Sequence, residues 1–149
     1  MQLTPFALEH EEGLALFVEP TYRSRFRESL ASPKRREKLI STLDHFPNLD
    51  YRWAVEITTK ATTSTVDAYL RNAGAPKQCY VLSSDGDYLQ ADESEGFKFI
   101  LGTTVDLRVA LDDLLWNQFG AFISCIPGRL ACFTGEMPDE RFVVERPPT

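Results

Sequence analysis

The residues best suited to bind a ligand form a dense basic cluster near the N-terminus. Seven of the sixteen Lys and Arg residues fall between Arg23 and Lys38, where Glu28 and Glu37 oppose them, so this segment has a net charge of about +5. Since the whole chain is formally −6, the remaining residues carry about −11. Clustered charge attracts an oppositely charged partner better than scattered charge does. The predicted binding residues are Arg23, Arg25, Arg27, Lys34, Arg35, Arg36 and Lys38.

These residues favour a non-catalytic binding module whose partner is an acidic protein surface, with nucleic acid as the second possibility. The acidic remainder of the chain would repel a long phosphate backbone, and no basic motif with interleaved aromatic residues is present. A solvated basic face that keeps the protein soluble is the competing interpretation. Because surface substitutions usually change stability by less than about 0.5 kcal/mol, reversal of Arg27, Arg35 and Arg36 to Glu is expected to leave the fold intact. Arg129, after a predicted turn, could also bind a carboxylate or phosphate.

The alternative function is a small enzyme that uses Cys125 or the acidic loop Asp85–Glu95. A thiolate nucleophile needs a nearby base or cation, so His45 is the candidate partner of Cys125. The chain contains no glycine-rich nucleotide motif, no His-Glu-x-x-His zinc motif and no Gly-x-Ser-x-Gly nucleophile elbow. No catalytic residue and no cofactor is therefore assigned.

The acidic loop offers oxygen ligands for a hard cation. Asp85, Asp87 and Asp92 carry the carboxylates that Ca²⁺ or Mg²⁺ prefers, but their spacing is not that of an EF-hand loop. Carboxylates in a loop rich in Ser and Gly are usually solvated, and we assign no metal site.

The cysteines and the N-terminus predict a cytoplasmic protein. Three cysteines cannot all pair within one chain, none forms a Cys-x-x-Cys motif, and their apolar neighbours predict buried, reduced thiols. Glu9, Glu11 and Glu12 occur where a secretory signal would have a basic start and an apolar stretch. The longest apolar runs are far shorter than the roughly 20 residues of a membrane helix, so no membrane association is expected.

The length of 149 residues predicts one domain, with residues 1–20 as a peripheral arm and residues 145–149 as a loose tail. Tyr22, Phe26 and Leu30 recur at intervals of four and predict one amphipathic helix. A second helix is expected to begin at Ser32-Pro33 and to bury the stripe that includes Leu39 and Leu43, which makes a helical hairpin.

The rest of the chain predicts an α/β (α+β) fold with a mixed sheet. A strand at residues 51–58, a helix at residues 62–73 capped by Gly74 and a strand at residues 79–82 form an expected βαβ unit. A helix at residues 107–116 follows. The C-terminal strands form an antiparallel hairpin that turns at Pro127-Gly128.

The hairpin turn sets the expected position of two cysteines. With Pro127 and Gly128 as the two turn residues, Cys125 faces Leu130, and Cys125 and Cys132 share one face of the sheet. A Pro-Gly pair favours a type II turn with a positive φ at Gly128, and this turn suits a two-residue hairpin poorly, so a wider loop is the alternative.

Three segments together resemble a group of short uncharacterised bacterial proteins with no assigned activity. They are Ser124-Cys125-Ile126-Pro127-Gly128-Arg129-Leu130-Ala131, Cys79-Tyr80-Val81-Leu82-Ser83 and Ser32-Pro33-Lys34-Arg35-Arg36. The resemblance implies a bacterial, cytoplasmic origin and transfers no catalytic residue to this chain.

Overall fold

The computed structural model describes most of the chain. The described residues are 2–84, 90–92, 98–101, 104–117 and 120–148, with backbone alone for residue 2 and for the two short central ranges. The cation-ligand candidates Asp85 and Asp87 lie outside the described residues, and the side chain of Asp92 does as well.

The described ranges contain five α-helices and nine strands, with short 3₁₀ turns between some of them. The helices are α1 Pro5–Leu14, α2 Arg23–Ala31, α3 Pro33–Ser41, α4 Thr63–Asn72 and α5 Leu107–Leu114. The strands are β1 Gln2–Leu3, β2 Ala54–Glu56, β3 Gln78–Ser83, β4 Gln90–Asp92, β5 Lys98–Leu101, β6 Val105–Asp106, β7 Ala121–Ile126, β8 Leu130–Thr134 and β9 Arg141–Glu145. The expected α+β class is confirmed.

A six-stranded sheet in the order β2-β9-β8-β7-β3-β6 forms the centre, and each neighbouring pair in it is antiparallel. The expectation that the βαβ crossover gives neighbouring parallel strands was therefore wrong; among the described strands, the parallel pair is β1 with β5, in a three-stranded sheet. Helix α4 does connect β2 to β3, which run in the same direction, but β9, β8 and β7 lie between them. Strands β7, β8 and β9 follow one another through short connections and pair in that order, so they occupy the middle of the sheet.

The sheet carries a hydrophobic core on each face, because successive side chains of a strand point to opposite sides. On one face, Val81 and Ile123 pack with Leu70 of α4 and Leu111 of α5. On the other face, strand residues pack under the N-terminal helices; this second core includes Leu82, Phe122, Phe133, Leu14, Phe26 and Leu43. Two helical layers thus enclose the sheet.

The helical hairpin predicted from the apolar spacing is present as α2 and α3, with Phe26 fully buried and Ser32 between the helices. Helix α3 ends at Ser41, earlier than expected, and a 3₁₀ turn at Leu43–His45 continues its buried stripe. The N-terminal residues differ from the expected peripheral arm: Ala7, Leu14 and Phe17 have no exposed surface.

Two predicted glycine positions have the positive φ that their turns require. Gly74 follows α4 with φ 105°, and Gly128 in the β7–β8 turn has φ 69°. The turn is closed by the Arg129 backbone N–H, which donates to the Ile126 carbonyl at 3.0 Å. The register places Ile126 opposite Leu130, which leaves Cys125 as an extra residue, so the wider loop is observed and the expected Cys125–Leu130 pair is not. Cys125 and Cys132 still contribute to the same core.

Gly128→Val should lower the free energy of unfolding by about 1–3 kcal/mol, because a β-branched residue adopts a positive φ only with strain. Any side chain here also brings its Cβ to 2.8 Å from Leu16 Cδ1, so Gly128→Asn is the matched control. Asn has the same Cβ but tolerates the left-handed region. Thermal and urea denaturation should show that the parent is more stable than Gly128→Asn and that Gly128→Asn is more stable than Gly128→Val. Equal stability of the two variants would show that φ does not limit this position.

Candidate functional site

Five of the seven basic residues expected to bind a partner are exposed on the α2–α3 hairpin: Arg25, Arg27, Lys34, Arg35 and Lys38. Within the described residues, their side chains form no ion pair or hydrogen bond. We call these five residues the basic patch. The structure therefore keeps most of the predicted cluster free to interact with solvent or with a partner.

The two helices hold a groove between them, with a volume of about 520 Å³. Arg25 approaches it from α2, and Arg35 and Lys38 approach it from α3. Glu28 is the one acidic residue of its lining, and Leu39 contributes an apolar side chain. We call this the basic groove. It can attract carboxylates while it contacts a small apolar group.

Arg36 is the exception, because its side chain points inward. It is 2% exposed, and its two terminal nitrogens donate to the two carboxylate oxygens of Glu11 in α1. The hydroxyl of Tyr80 in β3 also donates to Glu11. Burial by itself lowers the pKa of Arg36, but the hydrogen bonds and charge of Glu11 outweigh it, so that pKa is raised. The prediction that Arg36 belongs to a surface patch was wrong, and the expectation that its charge could be reversed without harm loses the exposure on which it rested.

Helical spacing contained a signal for this burial. Arg36 precedes Leu39 by three residues and Leu43 by seven, so it falls on the same buried stripe of α3 and its continuation. In α1 the buried residues Ala7, Glu11 and Leu14 follow the same rule. Sequence periodicity therefore could have placed both charges inside, although it could not have paired them.

Arg23 has a partly structural role at the start of α2. Its side chain is 22% exposed, lies 3.7 Å from the Asp50 carboxylate, and donates from Nε to the Val18 carbonyl at 3.2 Å. Asp50 also accepts two hydrogen bonds from Arg52, at 2.9 and 2.7 Å, and these bonds lower the pKa of Asp50. The buried Asp50 carboxylate thus contacts the side chains of both Arg23 and Arg52.

A second basic site was missed by sequence reasoning. Arg52, Arg129 and Arg146 line a cleft of about 420 Å³ beside Trp53 and Pro147. These arginines come from a 3₁₀ turn, from the β7–β8 turn and from the residue after β9, so no local pattern connects them. We call this the arginine cleft. Of its members, sequence analysis had singled out Arg129 alone.

The structure does not bring the two catalytic candidates together. Cys125 is buried in the core between the sheet and helices α4 and α5. His45 is exposed at the other face, in the turn that follows α3. Burial, with a smaller contribution from the charge of Asp67, raises the pKa of Cys125 to about 12, so the thiol is protonated at neutral pH. No contact described here supports a Cys125–His45 pair.

His45 instead lies between two carboxylates. Its Nδ1 is 3.1 Å from Glu136, and its Nε2 is 3.6 Å from Asp44. The three side chains offer ligand atoms within 4.8 Å of one another, a set that could attract a divalent cation. The two carboxylates lie near different nitrogens of the ring, Glu136 near Nδ1 and Asp44 near Nε2.

The other histidine is buried. His10 Nδ1 lies 2.7 Å from the Ser124 hydroxyl, and its ring contacts Phe6 with a centroid distance of 4.4 Å. Burial lowers the pKa of His10, and the charge of Glu9 opposes that effect. The ring therefore links α1 to β7 as a neutral group at pH 7.

Comparison of this chain with protein-family models, with curated proteins and with solved structures finds no match. Among the helices that the structure describes, none is long and apolar enough to cross a membrane.

The three thiols should react slowly in the native protein. Cys79, Cys125 and Cys132 are all free and buried, and burial raises the pKa of each. Titration with a thiol reagent at neutral pH should therefore label all three cysteines after denaturation and label them only slowly before it. One cysteine that reacts rapidly in the folded protein would contradict this arrangement.

Arg36→Ala should destabilise the protein by about 3–5 kcal/mol, because it leaves the Glu11 carboxylate buried without its charge partner. Arg35→Ala is the matched control: it removes the neighbouring arginine, which is exposed, and should change stability by less than about 0.5 kcal/mol. Urea denaturation of both variants measures the difference. Similar midpoints and slopes for the two would show that the Glu11–Arg36 pair does not support the fold.

Proposed function

We propose that this protein is a non-catalytic binding module that uses the basic patch to dock an acidic segment of a partner protein. The observation that carries the proposal is the convergence of Arg25, Arg35 and Lys38 on one groove. Three cations from two helices create a concentrated positive potential in a concave site, where the field is focused. Glu28 offsets one of these charges and leaves an excess of about two.

The placement of charge in α3 supports the same proposal. Helix α3 begins at Pro33 and has no acidic residue in its first turn, so Lys34 and Arg35 stand at the positive end of the helix dipole. That position costs about 0.3–1 kcal/mol for each cation at low salt. Arg36 in the same turn is compensated by Glu11, but the other two have no described partner. A bound carboxylate would offset their cost.

The occupant is an acidic protein segment with an apolar side chain. The groove is lined by Tyr22 and Leu39 as well as by cations, and this mixed lining fits a peptide better than a regular array of phosphates. The rest of the chain has a large negative charge, which disfavours a long nucleic acid. The experiment therefore measures binding of nucleic acid separately from binding of an acidic peptide.

The test uses a triple charge reversal in the groove, Arg25→Glu, Arg35→Glu and Lys38→Glu. Its matched control reverses three exposed basic residues elsewhere, Lys60→Glu, Arg71→Glu and Lys77→Glu, with the same change in net charge. Fluorescence anisotropy measures binding of a labelled peptide of alternating Glu and Leu residues, and of labelled single-stranded and duplex DNA. The peptide should bind the parent and the control with similar affinity. It should bind the groove variant about tenfold to a hundredfold more weakly, since each of the three exposed charge pairs contributes up to about 1 kcal/mol.

Peptide binding should also weaken as salt screens the exposed charges. Equal loss in both triple variants would show that net charge alone drives binding and would refute the groove as a site. Binding of DNA but not of the peptide would refute the acidic-protein partner. Because the substituted residues are exposed, both variants should keep the melting transition of the parent within a few degrees.

A further inference from the structure

We infer that the arginine cleft is a second, separate binding site, and that its ligand is a phosphate monoester group. Arg52, Arg129 and Arg146 line the cleft together with Trp53 and the Pro147–Pro148 segment. Nothing in this inference depends on the basic groove, which is lined by a different set of residues from α2, α3 and their flanks.

Backbone pairing is what brings Arg129 and Arg146 together. The β8–β9 ladder ends at the pair Leu130–Glu145, and beyond it the Arg146 backbone N–H donates to the Arg129 carbonyl at 2.8 Å. The β2–β9 ladder ends at Ala54–Val144, so the 3₁₀ turn that carries Arg52 lies beside the same end of β9. Three guanidinium groups are thus presented by adjacent ends of the central sheet.

The acidic residues nearby do not neutralise this site. Asp50 is engaged by two hydrogen bonds from Arg52 and by the ion pair with Arg23. Glu145 also lines the cleft, but its carboxylate accepts a hydrogen bond from the Tyr69 hydroxyl of α4 at 3.1 Å. The cleft lining itself holds three arginines and this one glutamate, an excess of about two positive charges. A phosphate monoester carries about −1.5 to −2 at pH 7, which matches this excess better than a single carboxylate does.

Two of the residues that line the cleft also carry a donor without a partner. Among the described residues, Arg146 Nε and Trp53 Nε1 are buried and have no hydrogen-bond partner. Buried N–H donors are nearly always satisfied in folded proteins, so each unpartnered one requires an explanation. Burial and then the like charge of Arg146 lower the pKa of Arg23, which reflects the same crowding of cations.

The cleft has room for more than a bare ion. At about 420 Å³ it can take the phosphate and part of the group esterified to it. Arg52 already stacks over the Trp53 ring at 5.7 Å, so that wall presents a cation and an aromatic surface together. A phosphorylated side chain and a mononucleotide share this chemistry, and the experiment separates them.

The experiment follows the indole N–H signals in ¹H–¹⁵N spectra of the full chain during titration with inorganic phosphate, phosphoserine and AMP. Ionic strength is held constant with chloride. Trp53 lies in the cleft and should shift with saturation, whereas Trp116 is the internal control because its Nε1 donates to Thr63 at 2.8 Å, outside the cleft. Tighter binding of phosphoserine or of AMP than of phosphate identifies which ester the cleft prefers.

Arg129→Ala and Arg146→Ala should each weaken phosphate binding about tenfold or more, since a charged hydrogen bond contributes at least that factor. Arg146→Lys keeps the charge but loses the planar fork, and should lie between the parent and the Ala variant. Arg25→Ala in the basic groove should bind phosphate as the parent does. Because Arg25 belongs to the basic groove, this variant separates phosphate binding in the cleft from peptide binding in the groove.

Two results would overturn the inference. One is a Trp53 signal that does not saturate with any of the three phosphate compounds or that responds equally to chloride. The other is unchanged affinity in Arg129→Ala, whose exposed side chain can be removed without loss of fold. A thermal melt of each variant confirms that it is folded before its spectrum is interpreted.

Discussion

The carboxylate of Glu11 and the guanidinium of Arg36 meet inside the layer of N-terminal helices, and the position of that layer depends on their pairing. The pair joins α1 to α3, and the Tyr80 hydroxyl joins both to the central sheet. Buried charges are costly unless they are paired and hydrogen-bonded, so α1 and α3 cannot separate without exposing or isolating a charge. Because α3 forms one wall of the basic groove, an interior contact determines how the surface cations converge.

The same layering explains why the nucleophilic residues of this chain offer little chemistry. Strand alternation places Cys79, Cys125 and Cys132 in the core under α4 and α5, where burial keeps the thiols protonated. The basic groove and the arginine cleft lie in a different region, at the α2–α3 hairpin and at the ends of β8 and β9. The buried thiols and these two basic cavities are thus separate features of the fold.

Much of the local structure followed from local rules. Apolar spacing predicted the helical hairpin, and the requirement for positive φ predicted the behaviour of Gly74 and Gly128. The strand expected at residues 51–58 was shortened, because its first residues form a 3₁₀ turn and β2 pairs with β9 over three residues alone. Its expected partner β3 lies four positions away in the sheet. Which strands pair depends on packing across the whole sheet and is not encoded in the sequence of one strand.

For the site, the sequence by itself determined that cations would cluster on two short helices, since composition and helical period are local properties. Only the tertiary structure decided which of those cations are free. Arg36 is removed from the surface by Glu11, a residue 25 positions away, and three arginines from distant segments assemble a cleft that has no local signature. The reason is physical: the free energy of a charge depends on its burial and on its neighbours in space, and both are set by contacts between segments far apart in the chain.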